Sequence, residues 1–241
     1  VSDSTLRIGL VLPDVMGTYG DGGNALVLRQ RARMRGIDAE IVSINLTDPV
    51  PESLDVYTLG GAEDYAQRLA TRHLTRYPGL QRAAEAGKPV LAICAAIQVL
   101  GHWYETSAGE RVEGISMLDL TTVPQDKRSI GELITEPALD SGLTKPLTGF
   151  ENHRGGTTLG SDARPLARVK HGVGNGAGEK IEGAIQGSVI GTYLHGPALA
   201  RNPELADLLL SRALGVDELD ALPLAEVELL RRERLAAGRR G

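Results

Sequence analysis

One cysteine, Cys94, and five histidines are the residues of this 241-residue chain best suited to nucleophilic and acid–base chemistry. Cys94 lies within Lys88-Pro-Val-Leu-Ala-Ile-Cys-Ala-Ala-Ile-Gln-Val-Leu-Gly101. Pro89 to Ile93 is apolar throughout and β-branched at Val90 and Ile93, which predicts a short buried strand. Ala95, Ala96, Gln98, Val99 and Leu100 predict a helix that stops at Gly101. A thiol at such a corner stands in a tight turn at the carboxyl edge of a sheet, and the next backbone amide is aimed at an incoming oxyanion. The positive end of the helix favours thiolate over thiol. The competing reading is a small thiol of the core, because free cysteine is among the most buried residue types.

A cysteine nucleophile needs a base. His73 and His102 fall on helical segments and read as surface or packing residues, and His171 lies in a glycine-rich loop. His153 follows Gly149-Phe-Glu-Asn152, and His195 follows Gly191-Thr-Tyr-Leu194. His195 is the better candidate. It ends an apolar strand, and Gly196-Pro197 then turns the chain, which puts an imidazole at a strand end as Cys94 is. A strand-end histidine with no such partner is structural more often than catalytic. The spacings His-x-His, His-x-x-x-His and Cys-x-x-Cys that announce zinc do not occur.

The elements that must position these residues alternate in the first half of the chain. Leu6 to Leu12, Ala39 to Ile44 and Asp55 to Leu59 predict strands. Helices are predicted from about Ala25 to Arg35, and over Ala62 to Glu85 with a break at Pro78-Gly79. This alternation implies parallel strands with right-handed crossovers, a doubly wound sheet. Ligands bind at the carboxyl ends of such strands, where Gly60-Gly61 and Cys94 lie. The glycine-rich loop Gly17-Thr-Tyr-Gly-Asp-Gly-Gly-Asn24 lacks the Gly-Lys-Ser/Thr ending of a phosphate loop and the spacing of a dinucleotide fingerprint. It reads as a tight turn in which Asp21 or Asn24 caps the following helix. From Val112 onward, short β-like runs predict a more antiparallel half on the same sheet. A core-spaced helix over Pro203 to Leu214 follows. The expected organisation is one domain over residues 1–215 and a charged, solvated tail over residues 216–241.

Composition limits the function classes. The hydrophobic fraction is 41% and the charged fraction 24%, as in ordinary soluble globular proteins. A net charge of -5 argues against a nucleic-acid surface as the main purpose. A lone cysteine excludes an intramolecular disulfide, Val1-Ser-Asp-Ser-Thr5 lacks the pattern of a signal peptide, and no stretch approaches the ~18 apolar residues of a membrane span. These features predict a cytoplasmic chain.

Six motifs together carry a resemblance: Met16-Gly-Thr-Tyr-Gly-Asp-Gly-Gly-Asn24, Leu59-Gly-Gly61, Ala92-Ile-Cys-Ala-Ala-Ile-Gln-Val-Leu-Gly101, Arg128-Ser-Ile-Gly-Glu132, Gly149-Phe-Glu-Asn-His153 and Gly191-Thr-Tyr-Leu-His-Gly-Pro197. With these in this order the chain resembles the class I glutamine amidotransferases, in their cobyric acid synthase-like branch. The resemblance implies an α/β, three-layer, mostly parallel flavodoxin-like sheet with an antiparallel C-terminal extension. It implies that Cys94 attacks the side-chain amide of L-glutamine, with His195 as its base in a Cys-His dyad. Arg128 would bind the substrate, where a guanidinium suits an α-carboxylate. Gly60, Gly61 and Ala95 would hold the oxyanion, and Gln98, Glu151 and His153 would lie near the site.

Within the branch, the chain is similar to stand-alone glutaminase subunits that form a heterodimer with a Mur-ligase-like subunit, MurT. That partner would carry ATP and magnesium, with no cofactor in this chain, and would amidate the D-glutamate of membrane-anchored lipid II in peptidoglycan synthesis. Two departures stand out. Ala95-Ala96 replaces the glycines common after the cysteine, and Pro197 occupies the place where many relatives carry a third catalytic glutamate. The group orienting His195 is therefore open, with Glu151 as a guess. Amidation of cobyrinate side chains, or an inert flavodoxin-like protein with a redox-sensing thiol, are the competing functions.

Overall fold

The computed structural model describes residues 5–237. The first half alternates as its sequence predicts: β1 (Leu6–Val11), α1 (Gly23–Arg33), β2 (Ala39–Ile44), β3 (Val56–Leu59), α2 (Asp64–Arg76), α3 (Gly79–Glu85), β4 (Val90–Ile93) and α4 (Ala95–Leu100). All four residues of β3 and all four of β4 are buried, as strands covered on both faces require. Pro78 ends the helical run, and Gly79 opens α3 against Val50, whose carbonyl oxygen would lie 1.8 Å from a Cβ there.

The second half comprises β5 (Trp103–Glu105), β6 (Arg111–Glu113), β7 (Leu120–Pro137), β8 (Leu147–Leu159), β9 (Ala167–His171), β10 (Ile181–Glu182), β11 (Ala184–Gln186), β12 (Val189–Thr192), α5 (Ala198–Arg201), α6 (Pro203–Leu214) and α7 (Ala225–Ala237). The main sheet runs β11-β12-β4-β3-β1-β2, parallel except for β11. Its β2-β1-β3-β4 order is that of a flavodoxin-like sheet, with the switch point between β1 and β3.

The antiparallel extension is divided. Expected on the same sheet, it contributes only β11 and β12 there. The other strands make a second sheet, β10-β9-β7-β5-β6, with β8 paired to β7. Where the sequence presents short β-like runs, Leu120–Pro137 is one long strand, β7, whose register against β8 shifts between Pro124 and Ser129. That irregularity lifts residues 125–128 out of the ladder and leaves Arg128 free to point elsewhere. Most of the charged segment after residue 215 is exposed. Arg231 of α7 is the exception: it is buried and donates to the carbonyl oxygens of Arg201 and Pro146.

Candidate active site

Cys94 stands between β4 and α4 with φ 55 and ψ -112, a conformation that L residues rarely adopt. Its N–H donates to the Thr192 carbonyl on β12 at 2.9 Å, continuing the parallel pairing of Ile93 with Thr192. The corner is thus held from both sides, by the helix that follows it and by the neighbouring strand. Cys94 is 5% exposed and borders a pocket of about 250 Å³. Burial first, and then the Asp21 carboxylate, push its thiol up to about 12, while the Ala95 amide and Arg128 pull the other way. At neutral pH the sulfur is therefore a thiol that needs a base.

His195 follows the same β12 strand, and antiparallel bonds with Phe150 of β8 fix its backbone at 2.9 and 3.1 Å. Its ring is buried. Nδ1 lies 3.0 Å from Asp21 Oδ1, and Nε2 has no hydrogen-bond partner among the described residues. Tyr19 lies over the ring, tilted by 57° with 5.1 Å between centroids. Asp21 was expected to cap α1. That helix has no side-chain cap, because Asp21 turns inward to His195 and Asn24 accepts from Leu199 N–H at 3.0 Å.

Gly60 and Gly61 follow β3 as expected, but the N–H of Gly61 donates to Asp21 Oδ2 at 2.9 Å. The expectation of Gly61 as an oxyanion donor is corrected on that ground, since its one N–H is already engaged. Gly60 packs so closely on the loop that a Cβ would lie 2.1 Å from the Met16 carbonyl oxygen. Ala95 N–H points at the sulfur and stays available for an oxyanion. The methyl groups of Ala95 and Ala96 are buried in the core.

Arg128 lines the Cys94 pocket. Its Nε donates to Asn152 Oδ1 at 2.8 Å and its Nη2 to the Tyr19 hydroxyl at 3.3 Å, and that hydroxyl donates to Glu63 Oε1 at 2.6 Å. Gln98 and His153 also line the pocket. Gln98 accepts from Gln67 and donates to the Tyr193 hydroxyl, while His153 stacks on Tyr193 at 3.9 Å. Glu151 is not behind His195. Its two oxygens accept the N–H groups of Val173 and Gly174, each at 2.9 Å. His73 packs on Tyr77, and His102 bridges Ser116 and Asp119 at the surface. The residues that sequence reasoning passed over are Tyr19, Glu63 and Asp21. An acidic residue in a glycine-rich loop at the carboxyl end of β1, beside the switch point, was the available signal for the last.

Residues 7–203 match the family model described as CobB/CobQ-like glutamine amidotransferase domain. A protein of Staphylococcus aureus (strain N315), named lipid II isoglutaminyl synthase (glutamine-hydrolyzing) subunit GatD, is 39% identical over 210 residues, which span 86% of this chain and 84% of that one. A protein of the same name from Streptococcus pneumoniae (strain ATCC BAA-255 / R6) is 34% identical over 212 residues, 87% of this chain and 80% of its own. A solved structure described as a glutamine amidotransferase superposes with a TM-score of 0.57 at 18% identity, over 87% of this chain and 99% of that one, a likeness of fold alone.

Proposed function

Because the chain belongs to the family of CobB/CobQ-like glutamine amidotransferases, we propose that it is the glutaminase subunit of a two-subunit ligase acting on lipid II. It hydrolyses L-glutamine to glutamate and passes the ammonia to a Mur-ligase-like subunit of the MurT kind. That partner binds ATP and magnesium and amidates the D-glutamate of the stem peptide. The observation that carries the catalytic half is the backbone of Cys94, held at φ 55 beside a pocket that Arg128 also lines. Strain of this kind persists where the surrounding structure over-determines it, and it presents the sulfur to the pocket. The acceptor half is supported by the two GatD relatives, each matched over most of its length.

In this mechanism Arg128 forms paired hydrogen bonds with the α-carboxylate of glutamine and so sets the side-chain amide against Cys94. The sulfur attacks the amide carbon as its proton passes to His195 Nε2, the ring nitrogen with no other partner. The oxyanion forms against Ala95 N–H. His195 returns the proton to the leaving nitrogen, and ammonia departs from a γ-glutamyl thioester. Water activated by the same nitrogen then hydrolyses the thioester to glutamate and free thiol.

The test is co-purification with a Mur-ligase-like protein, followed by assay of glutamate release and of the amidated product. Cys94→Ala is expected to lower glutamate release by at least ~10³-fold. Undiminished release would remove the nucleophile assignment and leave the redox-sensing reading. Amide appearing on cobyrinate but not on lipid II would move the chain to the cobyrinate reaction.

A further inference from the structure

We infer that Asp21 is the positioning residue of His195, so that this one chain holds a Cys94–His195–Asp21 relay whose carboxylate comes from the loop after β1. The inference rests on the reading of Cys94 and His195 as nucleophile and base. In this chain the place two residues after the histidine is Pro197, which has no carboxylate. Glu151 instead accepts the amides of Val173 and Gly174, and the histidine near it is His153, whose Nε2 lies 3.8 Å from Oε2. Asp21, 2% exposed, lies 3.0 Å from His195 Nδ1 through Oδ1 and accepts Gly61 N–H through Oδ2.

A carboxylate only accepts, so in the neutral ring the proton sits on Nδ1 and Nε2 keeps its lone pair. That is the tautomer a general base needs, and Nε2 of this ring is buried with no hydrogen-bond partner among the described residues, as are Nε2 of His73 and of His153. The two bonds made by separate oxygens fix the carboxylate rotamer and tie the histidine to the Gly60–Gly61 turn. The loop itself is clamped to the segment after His195. A Cβ at Gly23 would lie 2.3 Å from the Pro197 ring, and Asn24 bridges the Asp21 carbonyl and Leu199 N–H. His102 also meets a carboxylate, that of Asp119, but it is partly exposed and both of its ring nitrogens are occupied, so it holds no base. The pair at His195 differs in leaving a buried nitrogen open. The Asp21 charge also helps to keep the nearby thiol protonated until substrate enters.

Asp21→Asn tests this directly. The amide oxygen can still accept Gly61 N–H, while the amide nitrogen donates to Nδ1 and moves the ring proton to Nε2. In the complex, kcat for glutamate release is expected to fall about 10²- to 10⁴-fold, with KM changed less than about threefold. In the ¹⁵N-histidine spectrum of the full chain above pH 8, with the His195 signals assigned by their loss in His195→Gln, the wild type should show Nδ1–H and the variant Nε2–H. Wild-type kcat in the variant, or a ring tautomer that the substitution does not change, overturns the inference. Should the variant not fold, Nε2–H in the wild type overturns it alone and Nδ1–H upholds it. The tautomer is read without turnover, so a failure of the glutaminase reading itself, seen as release that survives Cys94→Ala, remains distinguishable.

Discussion

At Cys94 the chain keeps a conformation costing on the order of 1–3 kcal/mol, and the bonds around it show how that cost is met. The Thr192 carbonyl, the Ala95 amide and the packed start of α4 leave the backbone no alternative. Arg128, in contrast, is exposed and held by single hydrogen bonds to Asn152 and Tyr19, so it can reorganise around a carboxylate without disturbing the fold. Arg128→Ala should therefore raise KM for glutamine about 10- to 100-fold, the range of a lost charge-assisted hydrogen bond, and leave the melting temperature within 1–2 °C of wild type. An unchanged KM would take Arg128 out of substrate binding. Cys94, His195 and Arg128 were singled out as candidates in the sequence because each sits in a motif with its own local signature. Asp21 was not. Its partner lies 174 positions away, and the same short carboxylate beside a helix start has a plausible local use as a cap.

The strands that frame the site carry a further buried carboxyl group besides Glu151. Glu182 on β10 accepts from the Thr192 hydroxyl and from Tyr193 N–H at 2.8 Å, and its other oxygen has no partner among the described residues. Burial pushes this group up to about 7 from an ordinary value of 4.5. A carboxyl raised in the folded state stabilises fully below the unfolded value and loses that contribution as pH climbs through the folded one. Wild-type stability should thus fall by on the order of 3 kcal/mol between about pH 4.5 and 7 from this group. Glu182→Gln should lack that component, so its urea midpoint relative to wild type should rise from pH 5 to pH 7.5. A difference independent of pH would refute the assignment. Element prediction was sound where burial on both faces made the pattern continuous, as in β3 and β4. It broke down in β7, because Pro124 to Arg128 interrupts an alternation that resumes at Ser129 on the same strand. It also could not divide the antiparallel strands between two sheets, since pairing partners so far apart leave no local trace.

Long-range ties close the molecule. Arg31 of α1 and Arg35, just past the end of that helix, share the Asp207 carboxylate of α6, Arg31 through two bonds of 2.8 and 2.6 Å. At the other end Arg231 pins α7 to the carbonyl oxygens of Arg201 and Pro146. Arg231→Ala should leave those acceptors unpaired and cost about 1–3 kcal/mol. Hydrogen exchange should then accelerate in α7 while protection of β1, β3 and β4 is retained; equal acceleration throughout would mean that α7 is no separate unit. The clamp between the loop after β1 and the turn after His195 also bears on how the protein is made. Residues 21, 61, 94, 128 and 195 come from successive stretches of the chain, so a ribosome finishes Cys94 about 100 residues before His195. At ~5–20 residues per second that interval lasts on the order of 5–20 s. Throughout it Cys94 is without His195, and Asp21 is without the ring it meets in the finished protein. On the proposed mechanism the growing polypeptide hydrolyses no glutamine until β12, which precedes His195, has been laid beside β4.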